Sequence, residues 1–214
     1  MNLFLCSRFC NVGTLIKENL QNKRIAFIPT AAAKEGASRY VLEGREVLSK
    51  MGAIVTEIEI SKENRKTIKA AFAQAEYINF SDGKSNYLMD ELRKSGPDKL
   101  LKKELQRGKL MVGESAGAIV CAPTITYIEP MDKKPPEYSQ QDDAGLGLVK
   151  YYILPHFLDE VYRKASEEIL EKFSELDVRP ISNDQAILVK DSTSKIICNS
   201  DNAKAVRDFR NEQG

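Results

Sequence analysis

Histidine is nearly missing from this chain: among 214 residues, His156 is the only one. A centre built from several imidazoles is therefore excluded, and any step that needs one must use His156. Tryptophan is absent, and the four cysteines (Cys6, Cys10, Cys121, Cys198) show no Cys-x-x-Cys spacing. That pattern reads as buried free thiols in a reducing compartment, with no metal expected. An excess of charge is missing too, since 32 basic and 31 acidic residues leave a net +1. Nothing in that balance calls for nucleic acid or an anionic membrane as partner. No run reaches membrane-spanning length, and no cationic segment leads into an apolar one at the N-terminus. The expectation is a cytoplasmic protein, monomer or homodimer, with no cofactor.

What is present is alternation. Short apolar runs at Asn2–Cys6, Arg24–Ile28, Ile54–Ile60, Tyr77–Phe80 and Leu110–Val112 read as strands. Between them, helices are expected over Gly13–Leu20, Ser38–Met51, Ser61–Ala75 and Asn86–Arg107, the last broken at Gly96-Pro97. After a long irregular stretch, Thr124–Leu148, come a strand at Lys150–Leu154, a helix at Val161–Phe173 and a hairpin from Ala186–Val189 to Lys195–Cys198. This order predicts α/β architecture: an open, mostly parallel sheet with helices on both faces, in one domain over 1–214. The irregular stretch has the composition of a loop over an active site.

The most specific stretch is Leu110-Met-Val-Gly-Glu-Ser115-Ala-Gly-Ala. A buried strand runs into Gly113-Glu114-Ser115-Ala116-Gly117 and then into small helix-forming residues, the form of a nucleophile elbow. Such a turn lifts the Ser115 hydroxyl clear of the sheet and leaves the Ala116 N–H free to meet a developing oxyanion. A tight turn with a capping serine would read the same way over five residues alone, and the flanking strand and helix favour the nucleophile. Glu114 has two readings, a residue of the pocket or a surface ion-pair partner. His156 follows Pro155 at the end of a predicted strand, on the rim where ligands of open α/β sheets bind. It is the only imidazole available to activate Ser115.

Gly113-Glu-Ser115-Ala-Gly-Ala, Cys121-Ala-Pro123-Thr, Gly145-Leu-Gly-Leu and Pro155-His156-Phe157 together resemble the dipeptidase E and cyanophycinase family of serine peptidases, over most of the chain up to Asn183-Asp184-Gln185-Ala186. The resemblance implies a class I glutamine amidotransferase-like fold, a flavodoxin-like three-layer sandwich. It also implies a Ser–His–acid triad, with Ser115 as nucleophile, His156 as base, and a small peptide or isopeptide hydrolysed through an acyl-enzyme. The family's glycine-rich turn corresponds to Asp82-Gly83-Lys84-Ser85-Asn86, where Gly83 alone remains of a run of glycines and would supply the second oxyanion amide. The acid is expected between Ser115 and His156, where Glu129, Asp132, Glu137, Asp142 and Asp143 are available. Glu129 is preferred and Asp132 comes second.

Two other classes fit parts of this pattern: an α/β-hydrolase esterase, which shares Gly-x-Ser-x-Gly, and an amidotransferase-like binding protein with weak or no catalysis. A further expectation concerns specificity. The segment after His156 opens with Asp159 and Glu160, which would repel an aspartyl side chain, while Arg163 and Lys164 are the nearest cations. Weak or absent activity on aspartyl dipeptides follows.

Overall fold

The computed structural model describes residues 1–34, 39–136, 142–191 and 193–199. Glu137, the residue that opens the second expected helix (Ser38) and the tail from Arg207 lie outside them. In chain order the elements are β1 (Asn2–Cys6), α1 (Phe9–Val12), β2 (Arg24–Ile28), α2 (Arg39–Lys50), β3 (Ile54–Glu57), α3 (Arg65–Gln74), β4 (Tyr77–Phe80), α4 (Ser85–Ser95), α5 (Pro97–Gln106) and β5 (Leu110–Glu114). Then follow α6 (Ala116–Ile119), β6 (Tyr152–Leu154), α7 (Arg163–Lys172), β7 (Val178–Pro180), β8 (Gln185–Lys190) and β9 (Thr193–Cys198).

A seven-stranded sheet runs in the order β3-β2-β4-β5-β1-β8-β9. All pairs from β3 to β1 are parallel, and β8 and β9 add an antiparallel edge. Each central strand is buried on both sides. Leu3 and Leu5 of β1 pack with Ile78, Phe80 and Met111 in one layer, under α3 to α7. Phe4 and Cys6 point the other way, onto Phe9, Phe27, Leu48 and Val112, under α1 and α2. Continuous apolar runs with no polar face are what such doubly covered strands require. The α/β expectation of helices on both faces of a mostly parallel sheet therefore holds.

Local signals account for several boundaries. Asn64 caps α3 by accepting the Thr67 N–H at 3.0 Å. The helix expected from Ser61 therefore starts later, at Arg65. The Gly96-Pro97 break separates α4 from α5, with Gly96 in the left-handed region at φ 72° and Pro97 opening the next helix. Other expectations fail. Gly13–Leu20 is not an α-helix: a 3-10 turn at Gly13–Leu15 stands there, after the four-residue α1. β3 ends at Glu57, short of the expected Ile60, and Ile54 is 52% exposed at the sheet edge. The chain leaves the sheet to bury Ile58 and Ile60 instead. The strand before His156 does not join the main sheet either. It is β6, which pairs in parallel with the unforeseen β7 in a separate two-stranded sheet.

The described part of the stretch expected as a loop over the site is mostly irregular and reaches the cleft through Met131 and Asp132, but it is pinned to the core at several points. Ile125, Tyr127 and Ile128 are buried, and the Tyr127 hydroxyl donates to the Ile153 carbonyl at 2.5 Å. Amides of Leu146 and Leu148 bond back to Val120 and Cys121.

Candidate active site

The carboxyl ends of β1, β4 and β5 lie side by side, and the residues that follow them (Ser7, Asp82-Gly83 and Ser115) share one rim. Ser115 itself sits at φ 47°, ψ −104°, a conformation that costs a non-glycine residue of order 1–3 kcal/mol. The turn is held from all sides. Ser115 N–H donates to the Cys6 carbonyl at 2.8 Å, and the Ser115 carbonyl accepts from Ala118 and Ile119 N–H. The two glycines exist because backbone passes where their side chains would be. A Cβ on Gly113 would lie 2.5 Å from the Gly117 carbonyl oxygen, and one on Gly117 would lie 2.6 Å from that of Phe80. As the first residue of α6, Ala116 has no carbonyl one turn back to receive its N–H.

His156 meets this serine. Ser115 Oγ and His156 Nε2 are 2.9 Å apart, and both residues are 5% exposed. The imidazole is fixed by its surroundings. Its backbone N–H donates to Ser7 Oγ at 2.9 Å, and Ser7 Oγ–H donates to the Ile181 carbonyl at 3.0 Å. Tyr162 stacks on the ring at 4.9 Å between centroids. The backbone turns sharply here, with φ 58° at His156 and 71° at Leu158.

The far side of the ring corrects the expected acid. His156 Nδ1 lies 2.8 Å from Asn183 Oδ1, and Asn183 Nδ2 donates to Asp159 Oδ2 at 2.9 Å. Hydrogen-bonding chemistry fixes the polarity of this chain. A carboxylate only accepts, so the amide NH2 of Asn183 must face Asp159 and its oxygen must face the ring. The ring nitrogen opposite that oxygen is then the donor, so in the neutral imidazole Nε2 is the nitrogen that accepts from Ser115. Asp159 is anchored in turn by Val161 N–H at 3.1 Å and faces Arg8 at 3.6 Å. Burial works against its charge, but the Asn183 amide, Val161 N–H, Arg8 and His156 outweigh it and hold the carboxyl below its ordinary range.

Neither carboxylate expected at the imidazole is there. Glu129 is exposed and lines a separate hollow with Asn86, Ile125 and Lys134. Asp132 is buried, but its Oδ2 accepts from Ser85 N–H at 2.7 Å and Ser85 Oγ at 2.6 Å. It caps the start of α4 and forms a wall of the cleft. Asp142 and Asp143 are likewise engaged elsewhere, the latter with Lys134 at 2.6 Å. Asn183 escaped the sequence reading because the orienting group was sought between Ser115 and His156. Its only advance mark is the polar run Ser182-Asn183-Asp184-Gln185 ahead of an apolar strand.

Ser115 and His156 open onto a cleft of about 340 Å³, whose walls include Tyr40, Asp82, Gly83, Asp132 and Tyr162. Gly83, at φ 139°, packs against the Ala31 backbone so tightly that a Cβ would lie 2.3 Å from it. Its N–H donates to Asp82 Oδ1 at 2.7 Å. Glu114 is neither a cleft residue nor a surface ion-pair partner. It is 1% exposed beneath the elbow and accepts the Phe9 N–H at 2.7 Å. Burial first, then the charge of Asp82, raises its carboxyl to about 8. It is neutral at pH 7. Asp159 and Glu160 do not face the cleft as expected: the first is turned to Asn183, the second pairs with Arg163.

The family model for peptidase family S51 matches residues 7–197. An uncharacterized peptidase of Listeria innocua is 39% identical over 196 residues, 89% of this chain and 93% of that protein. Peptidase E of Citrobacter koseri is 32% identical over 144 residues, 67% of this chain and 59% of that protein. A crystal structure from Listeria monocytogenes, assigned as a candidate peptidase E, superposes with a TM-score of 0.87 at 33% identity, covering 93% of this chain and 98% of that one. By these matches the chain belongs to peptidase family S51 and is a serine-type peptidase.

Proposed function

We propose that the protein hydrolyses a small peptide or isopeptide through an acyl-enzyme, with Ser115 as nucleophile, His156 as base and Asn183, backed by Asp159, as the group that orients the imidazole. The observation that carries this reading is the continuous chain Ser115 Oγ, His156 Nε2 and Nδ1, Asn183, Asp159, with links of 2.9, 2.8 and 2.9 Å. Ser115 Oγ attacks the carbonyl carbon as its proton passes to Nε2, and the carbonyl becomes a tetrahedral oxyanion. Ala116 N–H meets that oxygen, and Gly83 N–H joins it once released from Asp82. The imidazolium returns the proton to the departing amine nitrogen as the C–N bond breaks. Water then adds to the acyl-enzyme by the same transfers in reverse order, freeing the acid and restoring Ser115. The cleft, at about 340 Å³, suits a ligand of a few residues.

Asn183 and Asp159 act here as positioning residues. A neutral amide between ring and carboxylate holds the tautomer, and it passes the carboxylate's influence to the imidazolium through one bond more than a direct Asp–His pair. The test is labelling by a fluorophosphonate with mass spectrometry of the adduct. Stoichiometric modification at Ser115 is expected in the native chain and none in Ser115→Ala, which removes a single oxygen from a preformed turn. Modification elsewhere, or turnover retained by Ser115→Ala, overturns the assignment.

A further inference from the structure

Three cleft features stand apart from the transfer steps above. The first is charge balance. Arg39 and Lys84 border the cleft, and each already faces a carboxylate: Glu43 at 2.6 Å from Arg39, Asp132 at 3.5 Å from Lys84. Asp82 borders the same cleft and is half-buried, yet no ion pair reaches it among the described residues. Its charge is felt around it, adding to burial in raising the Tyr162 phenol and the Glu114 carboxyl. The second feature is the use of that carboxylate. Its Oδ1 is occupied by the N–H of Gly83, its own neighbour, at 2.7 Å. The Asp82 carboxylate in a small cleft is thus matched by one neutral amide, a weaker partner than a cation. The third is position. Asp82 and Gly83 follow β4 directly, next to the strand that delivers Ser115, so ligand atoms reaching the serine also reach this turn.

Resting on the serine-peptidase reading above, we propose that Asp82 is the specificity residue of this cleft: it binds an ammonium group of the substrate and, in turning to it, releases the Gly83 N–H for the scissile carbonyl oxygen. The ammonium is either the α-amino group of the substrate's first residue or the end of a lysine side chain. Without an ammonium the carboxylate stays on Gly83 and the oxyanion site has one amide instead of two. Binding energy from the cation is thereby spent on assembling the transition-state site, so the preference enters kcat as well as KM. An aspartyl side chain at the same place meets like charge, which disfavours aspartyl substrates for a reason other than Asp159 and Glu160.

The experiment measures protection of Ser115 in the full chain from a neutral fluorophosphonate, using two matched pairs of amides. Alaninamide against N-acetylalaninamide reads the α-ammonium, and Nα-acetyl-lysinamide against N-acetyl-norleucinamide reads the side-chain ammonium. The cationic member of one pair should protect the native chain at a concentration at least tenfold lower than its neutral partner. That ratio should fall to near one in Asp82→Asn, which keeps the shape and an acceptor but not the charge. Asp82→Ala should label at least threefold faster without protectant, because the Gly83 N–H is no longer engaged. Equal protection within both pairs, or a ratio retained in Asp82→Asn, overturns the proposal and leaves Ser115 labelling, and with it the serine-peptidase reading, intact. Failure of the unprotected native chain to label at Ser115 removes that reading and this proposal together.

Discussion

The two walls of the cleft are built in opposite ways. On the imidazole side every polar group is held by the protein: His156 by Ser7 and Asn183, Asn183 by Asp159, and Asp159 by Val161 with Arg8 facing it. On the Asp82-Gly83 side a carboxylate leans on the amide of the next residue. Under the proposed mechanism one wall needs no further movement for proton transfer, and the other has a contact that must be exchanged before both amides can face an oxyanion. In the proposed mechanism, preorganisation is complete on the side that fixes the imidazole and unfinished on the side assigned to recognition.

That contrast can be broken from either side. The largest expected loss is for His156→Ala, roughly a thousandfold or more in kcat on any substrate, since the chain has no other imidazole. Steady-state kinetics with a chromogenic ester measure it, and a loss under tenfold would make His156 structural. Asn183→Ala should follow with a loss of roughly ten- to a hundredfold in kcat. The acid limb of kcat/KM should also move to lower pH, because the imidazolium loses the relay that stabilises its charge. A drop in kcat with an unmoved pH profile would mean Asn183 only packs against the ring. Asp159→Asn tests the same wall one bond further out, with the smaller shift of the same sign.

Glu114 sharpens the comparison from beneath. Its carboxyl is raised to about 8 in the folded chain, against an ordinary 4.5. The folded state therefore holds a proton that the unfolded state releases between those values. Its contribution to stability is full below pH 4.5 and is lost as pH rises to about 8, after which it is flat. Glu114→Gln keeps an acceptor for Phe9 N–H and removes the titration. Urea midpoints at pH 5 and pH 9 should diverge, the variant gaining about 2–4 kcal/mol on the native chain at the higher pH. Parallel curves would show that Glu114 is charged in both states. The smallest effect belongs to Glu129→Gln. With its side chain in another hollow, kcat/KM should stay within about twofold of native; a large loss would return it to the imidazole.

The elbow and His156 are legible in the sequence because each has a local cause. Gly113 and Gly117 must be small for α6 to pass the sheet, so the turn at Ser115 carries its signature in five consecutive residues. His156 was identified by scarcity. The order of strands and helices came from periodicity, which reports burial along one segment at a time. Non-local matters were not legible. β6 looked like any other buried strand, and only its pairing with β7 set it apart from the main sheet. The loop acids failed as candidates because proximity in sequence to Ser115 is not proximity to the imidazole. Asn183 lies 27 residues beyond His156 and reaches it only because Ile181 N–H bonds to the Leu154 carbonyl and brings the two segments together. The sequence by itself determined the α/β architecture and singled out Ser115 and His156, which the fold brings to 2.9 Å. Tertiary structure alone decided which amide orients the imidazole, which carboxylate is buried uncharged, and which one stands in the cleft, because each depends on what a distant segment places within about 3 Å.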